Sequence, residues 1–574
     1  MLENGDLILR YLERLGVEYV FGVPGGSIEP FFNALARSER RGGIRAVIAR
    51  HEAGAAFMAE GYARATAKLG VCCSTSGPGA TNMITGVASA FADNIPMLVI
   101  SAQTSLDRFG QGSLQESSCT SVNTVEMFAR CTQYNTLVSH SAQLEPKLLQ
   151  AISYALGNRP GPAHLGVPLD IMRQTASWDS SRVNLRAFTD HEVAPSAQSV
   201  RALAGELAPA KRVTVVLGEG AAKAANKLIG LAEARNWQIV TTPRGKGLVD
   251  SFHPLYRGVF GFAGHEAAAQ ALRPENAERV LVVGTALDEV STSGWDTNAI
   301  LSERLIHLSS NPHHLTRSTM ARLAILGAPE LTLEALASVM DSPWGKPGMP
   351  AEAAEAESIP AYIAPSLSEK CQVSKGAIKP QAMMTHLSRR FCASTRVLMD
   401  SGNSFLWGIH HWNVRRATND SPINQFHIGI GFASMGWAIG ASVGVARAVG
   451  SDPVVCFTGD GSFLMAGQEI TTALQERLNL LMIVLNDSSL GMVRHGQKLS
   501  GGEPIGNALP AIRYADLAAA MGIESYRVET MEELLSLDLD DILSRPAPCL
   551  IDAVIDGDEV PPIGSRMKVL TGAV

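Results

Sequence analysis

The chain has 574 residues, 46% hydrophobic and 18% charged, which is enough apolar material for several packed cores and unlike a disordered composition. Its net charge of −7 speaks against a general nucleic-acid binder, whose surface normally carries a basic excess. No apolar run approaches the roughly 18 residues of a membrane span, and residues 1–6 lack the basic-then-apolar layout of a signal peptide. A cytoplasmic protein with neither nucleic acid nor membrane as partner is expected.

The elements in chain order resolve three units, spanning 1–175, 190–342 and 372–560. In the first, residues 19–23 read as a strand running into the turn Pro24-Gly25-Gly26. Residues 51–68 read as an Ala-rich helix, 70–75 as a second strand before Ser76-Gly77-Pro78-Gly79, and 96–101 as a third. Strands alternating with helices predict a parallel, doubly wound sheet. Residues 176–196 are polar and mixed, as in a linker. The second unit has strands at 213–217, 279–283 and 305–308. Its Gly218-Glu219-Gly220 turn is a weak nucleotide signal, because most such turns simply begin a helix. Residues 343–375, rich in Pro, Ala, Glu and Ser, read as a long linker. The third unit has strands at 397–399, 453–457 and 480–485. The fold class is therefore α/β, with three doubly wound parallel-sheet domains. Eight scattered cysteines without a CxxC pair read as reduced core thiols rather than zinc ligands.

The third unit carries the sharpest chemistry. One strand ends in Thr458-Gly459-Asp460-Gly461-Ser462-Phe463, and the next runs out into Asn486-Asp487-Ser488-Ser489-Leu490-Gly491. Both segments leave carboxyl strand ends, where open α/β sheets bind ligands. The glycines let backbone approach a phosphate, and Asp460 and Asp487 supply hard oxygens for magnesium bridging to a diphosphate. The helix after Gly461 would aim its N-terminus at those phosphates. A lone Gly-Asp-Gly is more often a plain turn; the paired strand-end carboxylates favour a site. In the first unit, Glu52 would stand near a helix start among small apolar residues. Burial raises a carboxylate's pKa and lets it exchange protons with a bound heterocycle. The bland alternative is a first-turn glutamate favoured by the helix dipole.

Glu52 does not stand alone. The run Phe21-Gly22-Val23-Pro24-Gly25-Gly26, then His51-Glu52 leading to Ala59-Glu60-Gly61-Tyr62-Ala63-Arg64, then Thr75-Ser76-Gly77-Pro78-Gly79-Ala80-Thr81-Asn82 and Asp93-Asn94-Ile95-Pro96 precede Gly431-Phe432-Ala433-Ser434-Met435-Gly436, Gly459-Asp460-Gly461, Asn486-Asp487 and Leu490-Gly491-Met492-Val493. In joint order and spacing the chain resembles the thiamine-diphosphate enzymes of the acetolactate synthase type. The resemblance implies pyrimidine-binding, central and diphosphate-binding domains. It implies a homodimer, or a homotetramer of two dimers, with each active site between two subunits. Glu52 would hydrogen-bond the cofactor's aminopyrimidine, and Gln115 would lie near the substrate. Asp460, Asp487 and the Ser489 carbonyl would bind Mg2+. Gly25, Gly26, Pro78, Asn82, Gly402, Asn403, Ser404, Ser434, Met435, Gly459, Gly461, Ser462, Leu490, Gly491 and Met492 would line the cofactor, with Met435 propping its bent shape.

The match departs at named places. Asp487 stands where an asparagine is usual, and Gly496 takes the place of a tryptophan that shapes acceptor choice. Leu114 replaces a phenylalanine, Gln133 a lysine, and Val290, after Asp288 and Glu289, an arginine. Ser309-Ser310-Asn311 stand where aspartates are frequent, so FAD in the central domain is left open, with absence the expectation. Arg494 and His495 are candidates for the substrate carboxylate or for a solvated helix face, and His410-His411 read as helix surface or packing. The leading expectation is decarboxylation of a 2-oxo acid, pyruvate first, followed by carboligation to a second carbonyl. The rivals are a decarboxylase releasing an aldehyde, an oxidase or acyl transferase, and a non-catalytic relic.

Overall fold

The computed structural model describes residues 2–176, 183–189, 192–340, 359–416 and 424–570; parts of both linker stretches, 176–196 and 343–375, lie outside them. The first sheet comprises β1 (Tyr19–Gly22), β2 (Arg45–Ile48), β3 (Gly70–Ser74), β4 (Met97–Gln103), β5 (Tyr134–Leu137) and β6 (Pro162–Pro168). The central sheet comprises β7 (Val213–Leu217), β8 (Gln238–Thr241), β9 (Tyr256–Val259), β10 (Arg279–Val283), β11 (Leu305–Ser309) and β12 (Leu323–Leu326). The third comprises β13 (Arg396–Met399), β14 (Phe426–Ile428), β15 (Val454–Gly459), β16 (Leu480–Asn486), β17 (Glu524–Val528) and β18 (Pro548–Val554). Every paired strand in the three sheets runs parallel. Strands such as β3, β7 and β16 are buried along their whole length, which is why they read as unbroken apolar runs rather than alternating ones.

The first sheet is ordered β2-β1-β3-β4-β6-β5 and the third β14-β13-β15-β16-β18-β17, so the two outer domains share one plan. The central sheet is ordered β12-β11-β10-β7-β8-β9. Winding reverses between β1 and β3, between β7 and β10, and between β13 and β15. Each reversal opens a crevice at the carboxyl ends of the strands, the place where such sheets take ligands.

The two outer domains meet through one close helix pair. The Glu52–Thr66 helix, built mostly of Ala and Gly on its contact side, crosses the buried Trp437–Val449 helix. Gly61 faces the Ala441 carbonyl and Gly444 the Met58 carbonyl so closely that a methyl at either would overlap backbone. The central domain docks on the third through buried polar groups. Lys246 Nζ donates to the Ile409 carbonyl at 2.8 Å, near the end of the Asn403–His411 helix. His265 accepts from Val259 N, donates to the His410 carbonyl at 2.9 Å, and packs on the His410 ring at 4.4 Å. His410 thus packs between domains, and His411, buried beside it, touches Cys371 and Trp407, so neither is helix surface. All eight cysteines are unpaired, six of them buried. Among the described residues no helix is long and apolar enough to cross a membrane.

Candidate active site in two halves

The third domain places its candidate residues at the β13/β15 crevice. Asp460 is the first residue of the Asp460–Ala466 helix, directly after β15, so Gly461 lies inside the first turn rather than before it. Asp460 Oδ1 accepts from Gly461 N at 2.7 Å and Oδ2 from Ser489 N at 3.3 Å, which ties the helix start to the loop after β16. That loop is braced by Leu490 N to the Asn507 carbonyl, 2.7 Å, and Leu509 N to the Ser488 carbonyl, 2.9 Å. A Cβ built on Gly491 would lie 2.7 Å from Asn403 Nδ2 and 2.9 Å from Asp487 Oδ2, so Asn403, Asp487 and Gly491 converge. Leu490 and Met435 lean over Gly461 from two sides. Gly402, with φ of 108°, turns the chain from β13 into the Asn403–His411 helix in a conformation suited to glycine, and beyond it, as beyond Gly26 and Gly459, lies open space.

This half fits a charged ligand. Burial pushes Asp460 up to about 6. Burial, then repulsion from Asp460, pushes Asp487 up to about 7 against the pull of Arg494. Two buried carboxylates facing one space favour a divalent cation. Asp460 and Asp487 supply hard carboxylate oxygens of the kind magnesium takes, an ion held by one or two carboxylates plus phosphate oxygens. Four buried polar atoms around this crevice lack any protein partner: Asn403 Oδ1, Ser434 Oγ, Ser462 Oγ and Ser489 Oγ. Such atoms are costly unless something bonds them. Ser404 is buried too, but its hydroxyl donates to the Asp400 carbonyl.

The first domain builds the other half at the β1/β3 crevice. Glu52 opens its helix behind the N-cap His51 and is half-buried. Asn82 Nδ2, from the short Pro78–Asn82 helix, donates to Glu52 Oε2 at 3.0 Å. A Cβ on Gly79 would lie 3.2 Å from Glu52 Oε1 and 2.9 Å from Thr75 Cγ2, and Thr75 Oγ1 is buried without a partner. Gly25 packs on Thr75, and Gly77 on Gln115. Gln115 is exposed and held at φ of 58°, an uncommon conformation for a residue with a side chain. Leu114 beside it is 90% exposed. Among the described residues no hydrogen bond joins Glu52, Asn82 or Gln115 to the aspartates of the third domain.

Several residues of weight escaped the sequence reading. Asp400, fully buried after β13, accepts from Gly436 N, Ala438 N and Thr458 Oγ1 at 2.9–3.1 Å and so fixes the Met435 turn. Glu116 accepts from Gly110 N, Gly112 N and Ser113 N at 2.7–3.3 Å and stiffens the loop that presents Gln115. Each was a lone acid in a loop, and the only usable signal was its place beside a flagged residue. Arg494 lies 3.5 Å from Asp487 Oδ2 and donates to the Gly557 carbonyl, while His495 is buried and pairs with Asn403 and Gly557. Both brace the loop after β16 rather than forming a solvated face.

The central crevice is differently filled. Glu219 after β7 and Asp288 after β10 meet Arg244 at 3.9 and 2.8 Å. Arg244 also meets Asp93 of the first domain at 3.0 Å, and Arg64 meets Glu60, Asp93 and Glu219 at 2.6–3.8 Å. Gly431 N of the third domain donates to Asp93 Oδ1 at 3.0 Å. The motif residues Glu60, Arg64 and Asp93 therefore serve a buried three-domain junction with four carboxylates to two guanidiniums. Ser309 and Asn311 are engaged by the His314 ring at 3.1 and 3.2 Å. Glu219 and Asp288 thus stand at the carboxyl ends of β7 and β10 already paired with Arg244.

Two domains of one plan each carry a polar crevice at a switch point, one lined by Asp460 and Asp487 and the other by Glu52. The chain belongs to the thiamine pyrophosphate enzyme family: residues 2–123 match the family's N-terminal TPP binding domain, 200–336 its central domain and 400–553 its C-terminal TPP binding domain. It is 31% identical over 581 residues to the acetolactate synthase isozyme 2 large subunit of Escherichia coli K12, covering 99% of each chain. It is 30% identical over 570 residues to the isozyme 3 large subunit of the same organism, covering 97% and 96%. A probable acetolactate synthase large subunit of Methanococcus aeolicus is 28% identical over 602 residues, covering 100% and 96%. The protein is a thiamine-diphosphate-dependent enzyme related to acetolactate synthase large subunits.

Proposed function

We propose that the chain is a Mg2+-assisted carboligase that decarboxylates a 2-oxo acid, pyruvate first among candidates, and joins the two-carbon fragment to a second carbonyl. The observation that carries this reading is the joint presence of the Glu52–Asn82 pair and of the Asp460–Asp487 pair amid unpartnered polar atoms. Asp460, Asp487 and the Ser489 carbonyl would hold the ion, and Asn403, Ser434 and Ser462 would bond the diphosphate. When bound, thiamine diphosphate supplies the nucleophilic carbon and the electron sink for loss of carbon dioxide. Asn82 fixes one oxygen of Glu52 and leaves Oε1 free to share a proton with a pyrimidine nitrogen. Gln115 presents its amide to the substrate from a loop stiffened by Glu116, and Met435 shapes the cofactor's seat.

A homodimer or a tetramer of dimers completes the site. Leu114, Phe432, Leu464, Met465 and Val493, all exposed apolar side chains, flank the two halves, as expected of surfaces that a second copy covers. Gly496 opens onto empty space, which supports an acceptor pocket wider than one walled by tryptophan. The acids at the central switch point support a chain without flavin, checked by the visible absorption of the purified protein.

The test is incubation with carbon-labelled pyruvate, thiamine diphosphate and Mg2+, products read by NMR. Acetolactate, acetoin or a related ligation product is expected. Acetaldehyde alone would transfer the reading to a simple decarboxylase. Glu52→Gln is expected to lose at least about 100-fold in kcat, the usual scale for a proton-transfer group; undiminished turnover would remove Glu52 from the chemistry.

A further inference from the structure

We propose that Glu469 is a positioning residue for Glu52, clamping the turn that presents the Glu52 carboxylate onto the third domain of the same chain. The proposal rests on the reading of Glu52 as the group that faces the cofactor. Strand β2 ends at Ile48 and the helix begins at Glu52, so only Ala49, Arg50 and His51 lie between. Their backbone N–H groups need partners. Ala49 N bonds the Gly22 carbonyl at 3.1 Å within the first domain. The other two go to a single carboxylate across the domain boundary. Arg50 N lies 3.1 Å from both Glu469 oxygens, and His51 N lies 2.9 Å from Oε1.

The surroundings are built around this contact. Glu469 has no exposed surface. The Thr472 hydroxyl lies 3.1 Å from both Glu469 Oε2 and the Ile48 carbonyl, bracing the strand end as well. Arg50 reaches back over the same segment, Nε to Thr471 Oγ1 at 2.7 Å and a terminal nitrogen to Gln475 Oε1 at 2.8 Å. A methyl on Gly54 would overlap the Glu469 carboxylate, so the helix gives up a side chain there to admit it. A buried carboxylate is a poor way to gain stability. Its use here is geometric: Oε1 accepts from both adjacent amides and Oε2 from Arg50 N and the Thr472 hydroxyl, so a neutral amide would keep one acceptor but turn an NH2 donor toward Arg50 N in place of the other. Glu469 also follows the Asp460–Ala466 helix within three residues, so the clamp ties the Glu52 turn to the helix that opens with a candidate magnesium ligand.

The experiment is Glu469→Gln in the full-length chain, read three ways. Hydrogen exchange followed by mass spectrometry should quicken at the amides of residues 50 and 51, with and without thiamine diphosphate. The kcat should fall by about 10- to 100-fold, the cost of misplacing a reacting group by about 1 Å. The affinity for thiamine diphosphate with Mg2+ should change by less than about threefold, because the phosphate and metal groups stay in place. Gly54→Ala, which pushes on the carboxylate without removing it, should give the same pattern and covers the case in which Glu469→Gln does not fold. Unchanged exchange at residues 50 and 51 would overturn the clamp. Faster exchange with kcat intact would overturn the positioning role. Full turnover by Glu52→Gln would instead sink the reading of Glu52, with the exchange data still deciding the clamp on its own.

Discussion

Asp487 concentrates what is particular about this candidate metal site. It stands where the resemblance leads one to expect an asparagine, and the structure gives it a partner, Arg494, at 3.5 Å. The extra charge is therefore partly offset from within its own helix-and-loop unit. Asp487→Asn should weaken Mg2+ binding by about tenfold, since a divalent ion in a site of low dielectric loses one of two carboxylates. Titration of the thiamine-diphosphate-loaded enzyme with Mg2+ measures it. An unchanged affinity would mean that Arg494 already cancels the charge and that Asp487 binds the ion no better than an amide. Asp460 and Asp487 could be singled out in the sequence because strand-end acids among glycines form local patterns, and Glu52 only through the run of motifs in which it stands. Glu469 and Asp400 were not legible. Their partners are backbone amides, which every residue has, and Glu469 bonds an amide 418 positions away.

At the scale of elements, nine of the eighteen described strands were read to within about two residues because buried parallel strands leave unbroken apolar runs, whereas partly buried strands such as β5 and β17 leave none. The helix crossing of Gly61 and Gly444 was not, because glycine in a helix looks like a defect until its neighbour is known. Nor was the role of Lys246, one lysine in a glycine-rich turn. Burial pushes Lys246 down to about 7 from 10.5, and the groups facing it, His265, His410 and His411, are also held below their ordinary range by burial. The folded chain thus binds this lysine proton more weakly than the unfolded chain does. Between pH 7 and about 10 the unfolded state carries the extra proton, and stability should rise with pH by up to about 1.4 kcal/mol per unit from this group. The histidines add a gain in the same direction at lower pH, as the pH climbs toward their ordinary value. Lys246→Met should flatten the dependence above pH 7 while leaving the acidic limb in place. Thermal unfolding at pH 7.5 and 9.5 measures it, and an equal slope in the variant would show that Lys246 stays charged against the Ile409 carbonyl.

At the scale of the whole molecule, the equivalence of the outer domains was the hardest feature to read and bears most on assembly. Sequence pattern gives strands and helices but not sheet order, and only the order reveals that the glutamate half and the aspartate half occupy corresponding crevices. Within one chain no hydrogen bond joins Glu52 to Asp460 or Asp487 among the described residues, whereas the turn ahead of Glu52 is held by Glu469, three residues past the Asp460-bearing helix. A second copy with two-fold symmetry would supply each half with its complement and would use both sites alike. Mixing then has a definite arithmetic. Glu52→Gln and Asp460→Asn chains are each expected to be nearly inactive alone. In a hybrid dimer one site carries both lesions and the other carries neither. Random exchange makes half the dimers hybrid, so the mixture should recover about one quarter of wild-type activity per chain. Refolding or co-expressing the two variants and assaying turnover checks this. Activity no higher than that of the separate variants, with sedimentation showing that hybrids form, would mean that Glu52 and Asp460 of one chain serve the same site and that the second copy completes nothing.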